Sequence, residues 1–98
     1  KLLGGSLGEL LEKSLPEETE QKIRQIVLRE PEVSDIHHLC TRNLGNRYAI
    51  EMHLRMRGDA PLEIAHAHTV NIEKALRKEF GEQTHIIIHL EPIKRNEL

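Results

Sequence analysis

Apolar and polar residues alternate along this chain with periods that change from segment to segment, and the periods outline its secondary structure. After Gly4-Gly5-Ser6, the residues Leu7, Leu10, Leu11 and Leu15 recur at helical spacing, which predicts a short amphipathic helix before Pro16. Pro16 followed by Glu17, Glu18 and Glu20 reads as a helix N-terminus, because negative charge is favoured against the helix dipole there. Ile23, Ile26 and Val27 supply its apolar stripe, and the helix is expected to end near Pro31. Residues 33–42 and 47–57 alternate with period two and read as strands joined by Asn43-Leu44-Gly45-Asn46, which has hairpin-turn chemistry. In the second strand Ile50, Met52, Leu54 and Met56 share one face, while Glu51, His53, Arg55 and Arg57 share the other.

Gly58-Asp59-Ala60-Pro61 stops that strand, and Leu62 to Phe80 gives the longest helical pattern, with Ala65, Thr69, Ile72, Leu76 and Phe80 on one side and Gly81 as C-cap. Residues 84–91 form a third strand in which Ile86, Ile88 and Leu90 alternate with His85, Ile87, His89 and Glu91. The order is therefore α-β-β-α-β. A right-handed crossover through the second helix sets the third strand parallel to the second, which becomes central. The predicted fold is α+β: an open-faced, ferredoxin-like sandwich with a three-stranded mixed sheet and two helices on one face. The opposite sheet face is left for solvent or a partner.

Composition narrows the function. A length of 98 residues with 38% hydrophobic and 31% charged content suits one domain with a modest core. Fourteen Lys and Arg against sixteen Asp and Glu give a net charge of −2, so the basic footprint of a nucleic-acid binder is missing. One Tyr, one Phe and no Trp leave no platform for base stacking. Cys40 is the single cysteine, which excludes an internal disulfide and any Cys-x-x-Cys motif. No apolar run reaches the roughly 18–20 residues of a membrane-spanning helix.

Histidine is the residue in excess: His37, His38, His53, His66, His68, His85 and His89. Neighbouring strands lie about 4.8 Å apart, so imidazoles on one sheet face can converge on a single ion at about 2.0–2.1 Å. His53 lies on the polar face of the central strand, and His89 and Glu91 share a face of the third strand. The place of His37 depends on the hairpin. If the loop is Leu44, Gly45 and Asn46, then Asn43 opposes Arg47 and His37 opposes His53, whereas a two-residue loop sends the two rings to opposite faces. Imidazole and carboxylate ligands suit Zn, Co, Ni, Mn or Fe(II), and the lack of paired thiolates argues against copper(I). His38, His68 and His85 read as exposed surface residues, Cys40 as a small buried apolar residue, and Glu63 as a dipole-favourable surface charge.

With these residues in view, the sequence resembles the C-terminal domain of the cation diffusion facilitators over nearly its whole length. The pieces that carry the resemblance are Ser6-Leu7-Gly8-Glu9-Leu10-Leu11, the run Ile36-His37-His38-Leu39-Cys40-Thr41-Arg42 followed by Gly45, Pro61-Leu62-Glu63-Ile64-Ala65-His66, and Ile86-Ile87-Ile88-His89-Leu90-Glu91-Pro92. Each is weak alone; their order and spacing together are specific. The resemblance implies a V-shaped homodimer on the cytoplasmic face of the cell membrane, beneath the membrane domain of the same full-length chain. It implies that the domain binds zinc, or another divalent ion such as Mn, Fe, Co or Ni, and so influences its export. The ligands it implies are His37, His53, His66, His89 and Glu91, where Glu91 stands in place of an aspartate found in many relatives. His66 enters from the resemblance, on the first turns of the second helix near the sheet edge.

The chain opens at Lys1 rather than methionine. Residues 1–15 are expected to lead out of an absent membrane helix and residues 16–98 to form the metal-binding domain, which binds metal and transports nothing by itself. Two other readings compete: a regulatory domain of similar build that senses a small molecule without metal, and a hydrolytic metalloenzyme. The enzyme reading lacks a separate general base, nucleophile or substrate pocket in the sequence, so the expected domain is not an enzyme.

Overall fold

Pro16 and Pro61 stand at the N-caps of the two helices with ring-fixed φ of −58° and −59°, and their extended ψ of 154° and 146° directs each carbonyl into the first turn. The Pro16 carbonyl accepts from the amides of Thr19 and Glu20, and that of Pro61 from Ile64 and Ala65, all at 3.0 Å. The computed structural model describes residues 14–93, so the helix expected over Leu7, Leu10 and Leu11 lies outside the described residues. The described elements run α1 (Glu17–Leu28), β1 (Asp35–Asn43), β2 (Tyr48–Met56), α2 (Leu62–Phe80) and β3 (His85–Pro92).

Helix α1 stops at Leu28, a little before Pro31, and Glu32 in the following connector takes a left-handed φ of 71°. Helix α2 carries Glu63 in its first turn and Arg77 and Lys78 in its last, each sign matching the helix dipole. Gly81 closes it with φ 115°, and its amide donates to the Arg77 carbonyl at 2.8 Å.

The sheet order is β1-β2-β3, with β1 antiparallel and β3 parallel to the central β2. Ile50, Met52 and Leu54 of β2 are fully buried against Ile23 and Val27 of α1 and Ile72 and Leu76 of α2. Each such side chain contributes about 1.5–3 kcal/mol on burial, which fixes both helices to the even-numbered face of β2. Leu15 joins this core, and its amide donates to the buried Thr41 hydroxyl at 3.0 Å. Thr41 in turn donates to Glu20 of α1, so its one hydroxyl ties the chain entry, α1 and β1 together.

The hairpin departs from expectation in a way that matters for the outer face. Asn43 pairs with Tyr48, not Arg47, so the connection holds one residue more than the three-residue loop. Inside the loop, the Gly45 amide donates to Asn43 Oδ1, and Gly45 takes φ 94°. A β-bulge between His37 and Cys40 then absorbs the extra residue, and beyond it His37 does oppose His53. The bulge also reverses inside and outside for the residues after it. Thr41 therefore points into the core, and Cys40, expected to be buried, is exposed opposite Glu51.

Candidate metal centre

The odd-numbered face of β2 looks away from both helices, and the sheet register lines up its residues in rows across three strands. One row is His37, His53 and His89; the next is Asp35, Arg55 and Glu91; on the other side lie Cys40, Glu51 and Ile87. Strand parity alone forces this grouping once the register is set.

Glu91 is the hub. Its Oε2 stands 2.6 Å from Nδ1 of His53, its Oε1 stands 3.1 Å from Nε2 of His37, and Oε1 also lies 4.0 Å from Nε of Arg55. The hydrogen bond from His53 is the main cause holding the Glu91 carboxyl below the ordinary carboxylate range. Partial burial opposes it, and positive charge at His37, His53 and Arg55 adds to it. Arg55 in turn bonds Asp35 at 3.0 Å within its own row, and it is Glu91 that joins this row to the histidines.

His89 stacks on His53, with ring centres 4.5 Å apart and planes tilted by 25°, and its Nε2 lies 2.9 Å from Oε2 of Glu51. His38, expected as an isolated surface residue, instead stands beside this row: its ring is 4.7 Å from that of His37 and 5.1 Å from that of His53. The bulge accounts for both, since His38 adopts a left-handed φ of 52°. Glu51 was not singled out from the sequence either, although its parity with His53, two residues away on β2, is the signal that would have found it.

Among the described residues, one set of three or more candidate ligands brings its donor atoms together: His37, His53 and Glu91, all within 4.8 Å of one another. The donor set fits a divalent ion. Two imidazoles and a carboxylate converge, a combination of donors that suits zinc and similar divalent ions. Nδ1 of His37 is buried and has no hydrogen-bond partner, so that ring is not committed elsewhere.

The remaining histidines separate. His66 is exposed on α2, the helix packed on the opposite sheet face, and is not part of the converging set. His85 is exposed at the start of β3 on the same outward face, where with Cys40, Arg42 and Glu51 it borders a shallow hollow of about 180 Å³. His68, read as surface, is instead largely covered: Nδ1 lies 2.6 Å from Glu30 and Nε2 3.5 Å from Glu32. Its partner Glu30 is 38 residues away in sequence, beyond the reach of any local pattern.

A family model described as "cation efflux protein, cytoplasmic domain" matches residues 15–93. The cation-efflux pump FieF of Pectobacterium atrosepticum is 37% identical over 84 residues, covering 86% of this chain and 28% of the relative. FieF of Escherichia coli is 39% identical over 83 residues, with 85% and 27% covered. The chain thus spans little more than a quarter of the length of these relatives. Among solved structures, the zinc form of the candidate zinc transporter CzrB superposes with a TM-score of 0.74 at 35% identity, covering 85% of this chain and 98% of that one.

Proposed function

Because the chain belongs to the cation efflux proteins, as their cytoplasmic domain, we propose that it is the ion-sensing, dimer-forming part of a divalent-cation exporter and that zinc is its ion. The observation that carries this reading is the convergence of His37, His53 and Glu91 within 4.8 Å on a sheet face that neither helix covers. His89 and Glu51 stand beside it, and His66 is the ligand that a second protomer or a neighbouring ion would have to recruit.

Zinc-type ions suit this set because imidazole and carboxylate are borderline-to-hard donors, and the zinc form named for CzrB adds support by relationship. Binding would replace the protons shared between the rings and Glu91, and would neutralise the acidic and imidazole groups of the outer face. If two protomers meet across that face, binding favours their closed arrangement only to the extent that the closed form holds the ion more tightly. Residues 1–15 would then pass the closure to a membrane domain of a longer chain, as the family resemblance implies. Among the described residues, no helix is long and apolar enough to cross a membrane.

The small-molecule alternative finds less support. The hollow near His85 measures about 180 Å³, below the roughly 300–1,000 Å³ of ordinary ligand pockets. A wider one of about 670 Å³ is lined only by Glu17, Glu18, Gln21, Lys22 and Gln25 of α1, the surface of a single helix and not a cleft between elements. The reading also makes the domain a binding module and not an enzyme, and metal-dependent turnover of generic ester or phosphate substrates would contradict that.

The test is equilibrium dialysis of zinc against chelator-stripped protein, followed by solution scattering. Bound zinc with a metal-dependent contraction of a dimer is the expected result. Failure to retain zinc would overturn the sensing role, and retained zinc with an unchanged dimer would overturn the closure.

A further inference from the structure

His38 is placed by the fold at a cost. A β-branch-free but non-glycine residue in the left-handed region is uncommon, with His, Asn and Asp the side chains most often found there, and such a conformation is strained by about 1 kcal/mol or more. Bulges re-aim a side chain, and this one occurs on the strand that carries His37, at the edge of the histidine row. Its effect is geometric: the rings of His37, His38 and His53 form a triangle with centre-to-centre distances of 4.7, 5.1 and 5.4 Å.

Those separations are compatible with three rings around a single tetrahedral ion. With zinc–nitrogen bonds of about 2.0–2.1 Å, three imidazoles around one ion hold their ring centres about 5 Å apart. Glu91 already touches two of the three rings, at His37 and His53, and so stands where a fourth ligand belongs. His38 is exposed and no hydrogen bond or ion pair occupies its ring among the described contacts. Its nitrogens stand outside the 4.8 Å set of His37, His53 and Glu91, so ligation requires the exposed ring to turn about its side-chain torsions toward them.

We propose that His38 is a metal ligand of this domain, completing a three-imidazole, one-carboxylate set with His37, His53 and Glu91, and that it sets the preference for nitrogen-seeking ions such as zinc over manganese. This rests on the reading that the outer sheet face holds the ion, and it goes beyond it by assigning a residue and a selectivity. Three nitrogens shift the site toward zinc, cobalt and nickel, whereas manganese is better served by oxygen ligands. The bulge is then the device that brings two consecutive residues of one strand, which ordinary alternation would send to opposite faces, onto the same ion.

The experiment uses two substitutions that the left-handed backbone accepts, His38→Asn and His38→Gly, beside His53→Ala and the parent. Zinc and manganese are titrated by calorimetry, cobalt(II) binding is followed by its visible absorption, and the metal-free melting temperature is recorded. Both His38 variants should melt at or above the parent temperature, since glycine and asparagine relieve the strain. Their zinc affinity should fall by at least the roughly ten- to hundred-fold that loss of even an outer-shell partner costs. Manganese affinity should stay within about threefold, and the intense tetrahedral cobalt bands should weaken. Zinc affinity unchanged in both His38 variants but lost in His53→Ala would overturn the role of His38 while leaving the site intact. Weakened zinc binding accompanied by a lower metal-free melting temperature in both variants would overturn it as a structural effect. A parent that binds no zinc, or a His53→Ala variant that binds it equally well, would overturn this inference together with the reading beneath it.

Discussion

Two histidine–carboxylate clusters stand on this domain, and they use the same side chains to different ends. At the first, His68 of α2 is bracketed by Glu30 and Glu32 of the α1–β1 connector, with one carboxylate at each ring nitrogen and the ring and Glu30 side chains only 14% and 13% exposed. Asn71 bonds Glu30 at 3.0 Å, and Arg57 bonds Glu32 at 2.9 Å, so each residue of the cluster is held by another, with His68 Nε2 meeting Glu32 at ion-pair distance and not in a hydrogen bond. At the second, on the outer sheet face, a single carboxylate serves two rings and the donor atoms converge toward one point. Composition and proximity are alike in the two places. The direction of the lone pairs differs: carboxylates on opposite sides of one ring make a clasp between connector and helix, whereas rings from adjacent strands around one carboxylate make a cradle. A flat sheet with its fixed strand spacing favours the second arrangement, and a helix meeting a loop favours the first.

The sharpest way to break this contrast is acidification. At the cradle, each imidazole must be neutral to ligate, so ion and protons compete, and lowering the pH from 7.5 to 5.5 should weaken zinc by about tenfold for each ordinary imidazole whose proton is displaced, and so by about a hundredfold for two. The Glu91 carboxyl, held low by His53, remains ionised over that range. Calorimetry in buffers of different ionisation enthalpy would count the protons released, and zinc affinity independent of pH would contradict the account.

Next in size is removal of the clasp. His68→Ala leaves Glu30 and Glu32 without their shared cation and should cost about 1–3 kcal/mol in urea unfolding, with zinc affinity of the remaining fold unchanged. The matching change at the cradle, His53→Ala, should do the reverse, with large loss of zinc and a metal-free stability within about 1 kcal/mol of the parent. Equal losses of stability from both substitutions would erase the distinction.

The smallest expected effect is the pH profile of the metal-free protein. The hydrogen bond to Glu30 raises the pKa of His68 above its ordinary 6.5, against the opposing effect of burial. A group bound more tightly to its proton in the folded state stabilises that state below its unfolded pKa, and the gain disappears as pH rises through the folded value. Metal-free stability should therefore decline modestly on going from pH 6 upward, and His68→Ala should flatten that decline. A decline of the same size in the variant would place its origin elsewhere.

Much of this was legible in the sequence because it is local or follows from chain direction. The alternation of β2 placed Ile50, Met52 and Leu54 inside and His53 outside, and the handedness of the α2 crossover made β3 parallel, which brought His89 beside His53. The pairing of His37 with His53 was expected from a three-residue loop and arises otherwise: the loop is longer, and the bulge at His38–Leu39 takes up the difference. No glycine marks that bulge, since His38 itself adopts the left-handed conformation, so simple parity counting ran straight through it. That single irregularity explains why Cys40 was expected inside, why Thr41 is the residue actually buried, and why His38 was read as detached from the row. His68 was misread for a different reason: its burial comes from Glu30 and Glu32, brought to it by tertiary packing of α1's end against α2.

The central claim is that the outer sheet face, through its histidine row, is where this domain takes up a divalent ion. Isothermal titration of zinc into chelator-stripped protein, beside a variant carrying both His53→Ala and His89→Ala, tests it most directly. The account predicts tight binding by the parent, its loss in the variant, and retention of binding in His68→Ala. Equal binding by parent and double variant would contradict it, reducing the row to surface residues and moving the ion, if one is bound, to another part of the molecule.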